Sequence, residues 1–242
     1  NRFDGQHFIS FFSSQGDAAA LSGNHVFALL CFKPGYLLIA TDNGLSVLNT
    51  FSNTFENKIV FPKGLQRGSG IYVRNLFMDR QSNRIYINYS GEIDVFDTGL
   101  NFLYRLTSLP WASSLKGINI NFVTWIKDRQ NRLWIPSDNY GIILLDEKNH
   151  QVYNAENNPM HYPFFKRVAV RSFFLDEEKQ YLCYSHWGLG LEKYDFKTGK
   201  LQTQYFNIPN GNESRCINAI MQNHRNLICF GAQNIYYVDE AT

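Results

Sequence analysis

Many common chemical signatures are missing from these 242 residues. No apolar stretch approaches the roughly 18 residues that a membrane-spanning helix needs. There is no run of Lys or Arg: 23 basic and 21 acidic residues are spread along the chain and leave a formal net charge of +2. Nucleic acid and anionic membrane are therefore poor default partners. Only 4 Cys occur, and no Cys-x-x-Cys, so neither a disulfide framework nor a zinc site is expected. Free thiols are compatible with an oxidising compartment, so cysteine usage leaves localisation open. Gly-x-Ser-x-Gly, His-Glu-x-x-His and a phosphate loop are all absent. His7, His25, His150, His161, His186 and His224 show no metal-ligand spacing. Neither a metal nor a cofactor is expected. No segment sustains a helical period. A secretory leader is also lacking, but the chain opens on Asn1-Arg2-Phe3-Asp4, which by register lies inside a strand. It is read as a piece of a longer protein whose export signal lies upstream.

Aromatic residues make up 16% of the chain, with 20 Phe and 14 Tyr, a composition suited to pleated, half-buried strands. The stretch 128–146, DRQNRLWIPSDNYGIILLD, joins a polar turn, a short apolar strand, a second polar turn and a second strand. The same phrase recurs at 79–97, 176–195 and 222–239, with a looser copy at 33–49. The middle residue of the first strand is Leu38, Tyr86, Trp134, Leu182 and Ile228, at spacings of 48, 48, 48 and 46. The residue that closes the second strand is Asn49, Asp97, Asp146, Asp195 and Asp239, and Asp4 fits the same series. A fixed period of this size means repeated supersecondary units. Cys183 and Cys229 fall where other repeats hold Ile39, Ile87 and Ile135, so they read as small buried hydrophobes. Cys31 sits in an apolar strand and Cys216 starts one.

Each repeat divides into four strands, A to D. Strand A is apolar (26–32, 73–78, 122–126, 170–175, 217–221), B is the segment around Trp134, C alternates, and D is more polar (54–57, 101–106, 151–154, 201–206). A polar outer strand suits an exposed sheet edge. Four short strands every 45–50 residues predict an all-β fold, a β-propeller of four-stranded antiparallel blades, with about five blades present. One domain, 1–242, is expected. Its repeats run over about 1–13 (the end of a blade), 22–57, 70–107, 119–155, 168–207 and 216–242 (incomplete). The last repeat stops before its D strand, while the first residues read as a C strand followed by a D strand. A slice of a larger propeller fits these ends better than closure into five blades.

Residues 132–142 (RLWIPSDNYGI), 40–45 (ATDNGL), 190–201 (GLEKYDFKTGKL) and 2–8 (RFDGQHF) resemble the two-component regulator propeller repeat. The resemblance covers essentially the whole chain. It implies the extracytoplasmic, periplasmic sensor region of a Bacteroides-type hybrid two-component histidine kinase. Such sensors commonly recognise oligosaccharides from polysaccharide breakdown, so the resemblance implies an oligosaccharide or another small periplasmic ligand as partner, and a homodimer. Membrane attachment and kinase activity belong to regions absent here, so this segment is read as non-catalytic.

A propeller brings its D–A and B–C connections to one face. The residues there that break the repeat are Asp138, Asn139, Tyr140, His186, Trp187, Trp111, Arg67, Tyr162 and Arg167. Aromatic rings stack on sugar faces, while amides and guanidinium groups bond to hydroxyls, so these are the candidate ligand contacts. Trp134 and Trp125 occupy strand positions and read as core. The recurring carboxylates Asp97, Asp146, Asp195 and Asp239 end strand C, and their repetition assigns them to turn amides. A propeller-type carbohydrate-active enzyme remains the alternative, because a carboxylate pair across blades is invisible in one sequence. A protein-interaction scaffold is the third reading.

Overall fold

The computed structural model describes residues 1–3, 5–14, 17, 19–56, 70–89, 91–120, 125–186, 190–204, 217–223, 226–231 and 235–239. These fall into two compact units, Asn1–Gly117 and Ile118–Thr242. The fold is all-β, built from propeller blades in which consecutive antiparallel strands pair side by side.

In the first unit β1 (Arg2–Phe3) and β2 (Phe8–Ile9) form a two-stranded sheet. The first blade is β3 (Val26–Lys33), β4 (Tyr36–Thr41), β5 (Gly44–Asn49) and β6 (Thr54–Phe55). The second is β7 (Val73–Asp79), β8 (Arg84–Tyr89), β9 (Glu92–Asp97) and β10 (Phe102–Arg105). In the second unit the third blade is β11 (Ile126–Lys127), β12 (Leu133–Pro136), β13 (Ile142–Asp146) and β14 (Gln151–Tyr153). The fourth is β15 (Val170–Asp176), β16 (Tyr181–His186), β17 (Gly190–Asp195) and β18 (Lys200–Gln204). The last sheet holds β19 (Ile217–Asn223), β20 (Asn226–Gly231) and β21 (Ile235–Asp239). One feature was not anticipated: strand β10 runs into 3-10 turns at Leu106–Ser108 and Pro110–Leu115. Pro110 suits the first position of such a turn, where no N–H partner is needed.

Period-2 alternation gives each blade two apolar faces, and neighbouring blades pack through them. Leu38, Ala40, Leu45 and Val47 of the first blade meet Val73, Leu76, Ile85, Ile87 and Phe96 of the second. Trp134, Ile142 and Leu144 of the third meet Val170, Phe173, Leu182 and Tyr184 of the fourth. Trp134 and Trp125 are core, 1% and 2% exposed. The Trp134 indole Nε1 donates to Asp128 Oδ2 at 2.9 Å, so the buried ring leaves no donor unpaired.

The pairing corrects one assignment. Leu38, Tyr86, Trp134 and Ile228 lie opposite Val47, Val95, Leu144 and Tyr237, each two residues before the closing residue of strand C. In the fourth blade that place is held by Cys183, opposite Lys193, and Leu182 sits one step earlier. Leu182 accordingly faces the third blade and Cys183 the last. The cause is the A–B turn, which spans 129–131 in the third blade and 177–180 in the fourth, one residue longer. A slip of one residue exchanges the two faces of a strand. Cys183 and Cys229 are both fully buried in the same interface. Burial pushes their thiols up to about 12 and about 11.

Turns close on carboxylates as the repetition required. Asp97 accepts from the Gly99 and Asn101 amides, Asp146 from Asn149, and Asp195 from Lys197 and Thr198. The Asn101 side chain and amides hold the Asp97 carboxyl below its usual range, and the Thr198 and Lys197 amides do the same at Asp195. The Asp239 side chain lies outside the described residues. Among the described residues, the B–C turns of the first three blades are stapled to the connection that leaves their blade. Gly44 N–H donates to Ile71 O at 2.9 Å, Gly117 N–H to Gly91 O at 2.9 Å, and Gly141 N–H to Val168 O at 2.9 Å.

Candidate ligand-binding site

The second unit gathers most of the expected contacts at one turn, between β12 and β13. Ser137 organises it: its hydroxyl donates to Gly141 O at 3.0 Å and accepts from the Tyr140 amide at 2.8 Å. Gly141 has φ +70°, and a Cβ there would lie 2.1 Å from Lys166 O. Only glycine permits both the left-handed backbone and that close approach. Val170 N–H then donates to Ser137 O at 3.0 Å. This clamp presents residues 138–140 to solvent, with Asn139 exposed and Asp138 and Tyr140 half-buried.

Segment 166–168 brings Arg167 over Tyr140, its guanidinium carbon 4.8 Å from the ring centroid. A cation on an aromatic face is mutually stabilising. Arg167 also pairs with Glu156. Asp138 is partly committed to the fold: its amide donates to Asn119 O at 2.8 Å, and its Oδ2 accepts from Asn119 Nδ2 at 2.9 Å. Its Oδ1 lies 3.8 Å from the Arg171 guanidinium. The first blade repeats this pincer: Asp42 N–H donates to His25 O at 3.1 Å, and Asp42 Oδ2 meets His25 Nδ1 at 2.8 Å. An Asp at this turn therefore first serves to seat the incoming connection.

Beneath the turn is a buried ionic cluster. Glu192 Oε2 accepts from Lys166 Nζ at 2.7 Å and meets His186 Nε2 at 3.0 Å. Burial alone raises a carboxyl, but here the His186 and Lys166 contacts prevail and hold Glu192 at about 2. The adjacent Tyr184 hydroxyl is pushed above its ordinary range by burial and by Glu192.

The structure thus brings Asp138, Asn139, Tyr140 and Arg167 together at the surface. Two expected contacts are corrected. His186 is the last residue of β16, 2% exposed and stacked on Tyr184, because strand B of the fourth blade runs one residue further than a 48-residue count allows. Tyr162 stacks on Phe164 and meets Tyr194 and Phe196. Those last two lie at the end of β17 opposite the B–C turn, so Tyr162 packs a core away from residues 138–140. Trp111 is in the first unit, half-buried in the 3-10 turn Pro110–Leu115. Trp187 and Arg67 lie outside the described residues.

Asn119, Glu156, Lys166, Arg171 and Glu192 were not anticipated. Glu192 left a trace in the sequence, an acid three residues before Asp195, at a place that holds Asp94 in the second repeat but Ser46 and Ile143 in the first and third. Among the described residues no group of three or more His, Cys, Asp or Glu could hold a metal ion.

These blades and their connections define the chain as a β-propeller protein. Neither a family model nor a curated protein matches its sequence. Solved structures match in fold. The extracellular domain of BT3049 from B. thetaiotaomicron, assigned as a hybrid two-component system, superposes with TM-score 0.67 at 18% identity, over 98% of this chain and 30% of that one. The extracellular domain of BT4673 from the same organism has been assigned both as a one-component and as a hybrid two-component system. Its two structures give TM-scores of 0.64 and 0.63 at 16% identity, over 95% of this chain and 28% of that one. The chain therefore spans less than a third of the length of each of these three solved chains.

Proposed function

We propose that this propeller is a non-catalytic, extracytoplasmic sensing segment of a hybrid two-component histidine kinase. Its ligand is a neutral or mildly acidic oligosaccharide released from a polysaccharide, met in the periplasm, and it works as a homodimer. The fold likeness to extracellular domains of hybrid two-component systems supports the sensor role. One observation carries the ligand class: the stack of exposed Arg167 on half-buried Tyr140, flanked by Asn139 and Asp138. The ring offers an apolar face for a pyranose, and the amide, guanidinium and carboxylate offer complementary bonds to hydroxyls.

Titration calorimetry against a panel of plant and host oligosaccharides tests this. At least one glycan binds, and Tyr140→Ala weakens it tenfold or more without lowering the melting temperature. Binding that ignores Tyr140→Ala sinks the site, and no binding across the panel sinks the ligand class. Release of product from any polysaccharide would replace the sensor with an enzyme. Light scattering checks the homodimer.

A further inference from the structure

The first blade carries an open face that repeat symmetry marks as an interblade surface. Val26, Val73 and Val170 are equivalent, each near the start of strand A and opposite the last residue of strand B. Val73 and Val170 are fully buried against the preceding blade, whereas Val26 is 45% exposed. Leu29, Leu76 and Phe173 are equivalent in the same way, opposite Ile39, Ile87 and Tyr184. Leu76 and Phe173 are 9% and 6% exposed, but Leu29 is 60% exposed. Val26 and Leu29 therefore present core side chains to solvent.

Part of that face is covered. Arg2 of β1 donates to Thr50 O at 3.2 Å and bonds to Asn53, so β1 lies over the C–D turn of the first blade. Arg2 holds the place, two residues before a closing Asp, that Val47 and Val95 hold in strand C of complete blades. Phe11, just past β2, packs edge-on against Phe55 at 5.7 Å. So β1 and β2 occupy the C and D places of a preceding blade and cover the outer strands. Of the A and B places, the part over Ile39 of β4 is covered by Leu21 and Phe11, and the rest, over β3, is a cleft of about 750 Å³. Val26, Leu29 and Leu37 of the blade line it on one side and Phe11, Phe12 and Leu21 on the other. Ile39 and Leu48 form a floor already buried against Leu21 and Phe11, and Asn1 and Arg2 bring the edge of β1 to its rim. Among the described residues β1 pairs with β2 alone.

We infer that this cleft is a docking site for an antiparallel strand pair with alternating apolar side chains, one strand of which adds to the edge of β1. Two features select that occupant over a small apolar ligand. An unpaired strand edge beside an apolar face calls for backbone hydrogen bonds as well as burial. The exposed wall residues also stand at positions that, one blade further on, are buried by strands A and B of a neighbour, Leu38 and Ala40 among them.

The test supplies such a pair to the 242-residue chain. Residues 73–89, the β7–β8 hairpin, are joined ahead of Asn1 by a flexible Gly/Ser linker, which raises their local concentration to about millimolar. The melting temperature should rise by several degrees, and the amides of β1 and β3 should gain hydrogen-exchange protection. Leu29→Glu, at an exposed position, should cancel both effects while leaving the melting temperature of the unextended chain unchanged. No rise, or a rise that survives Leu29→Glu, overturns the proposal. Light scattering on the unextended chain is the complementary measurement. A monomer, or a homodimer that Leu29→Glu leaves intact, agrees with the proposal, whereas a dimer dispersed by Leu29→Glu would overturn it by making a second copy the occupant.

Discussion

The same repeat position carries a buried acid in two blades, and the two are used differently. Asp94 and Glu192 both stand three residues before the residue that closes strand C. In the second blade Asp94 is fully buried and accepts from Arg105 Nε at 2.7 Å and Nη2 at 3.1 Å, with the Tyr89 hydroxyl donating to it at 2.8 Å. Burial and Asp94 push Tyr89 above its ordinary range. Arg105 comes from β10 of the same blade, so the cluster fastens a blade to its own outer strand. In the fourth blade the cation is Lys166, which comes from the connection leaving the third blade, and His186 takes the place of Tyr89. That cluster anchors the segment whose next residue, Arg167, covers Tyr140. The first and third blades have Ser46 and Ile143 there. The fold tolerates any of these residues, so the choice of partner decides whether the position braces a blade or supports a loop.

The difference can be broken by experiment. The largest effect is expected for Arg105→Met, which leaves Asp94 buried without its cation. Removing one partner of a buried pair costs about 3–5 kcal/mol, measured by urea unfolding. Acid should sharpen the contrast next. The Glu192 carboxyl is depressed in the folded state, so its contribution is complete above the unfolded value near 4.5 and is lost as pH falls toward about 2. The loss is about 3 kcal/mol across that window, and Glu192→Gln should flatten that part of the stability–pH curve. Lys166→Met should cost less than Arg105→Met, about 1–2 kcal/mol, because His186 still bonds to Glu192. It should also loosen the Tyr140–Arg167 stack, seen as faster exchange of the Val168 and Val170 amides. Equal costs for the two cation substitutions would erase the distinction. Smallest is Tyr140→Ala, expected within about 0.5 kcal/mol of the parent in stability and felt only in ligand binding.

Blade number and strand order were legible in the sequence because apolar periodicity and turn carboxylates repeat with the backbone. Trp134 read as core for the same reason. What failed was counting at fixed period through the fourth repeat. One extra residue in its A–B turn moved Cys183 into the place assigned to Leu182 and carried His186 from a turn into a strand. Tyr162 misled for another reason: its connection is aperiodic, and nothing local announces that 162–165 folds down toward Phe196. The turn contacts Asp138, Asn139 and Tyr140 were found as interruptions of the repeat. Their supports, Lys166 and Glu192, come from separate elements and are joined only by the tertiary fold.

The staples between B–C turns and outgoing connections bear on how the molecule assembles. Gly44 with Ile71, Gly91 with Gly117 and Gly141 with Val168 are each separated by only 26 or 27 residues. Every such bond can close once one hairpin and the segment just after it exist. Contacts this local favour fast folding, and neighbour-by-neighbour coupling lets structure spread along a repeat array. A chain emerging from the ribosome can therefore lock each of the first three blades to the path of the next before the following sheet has been made.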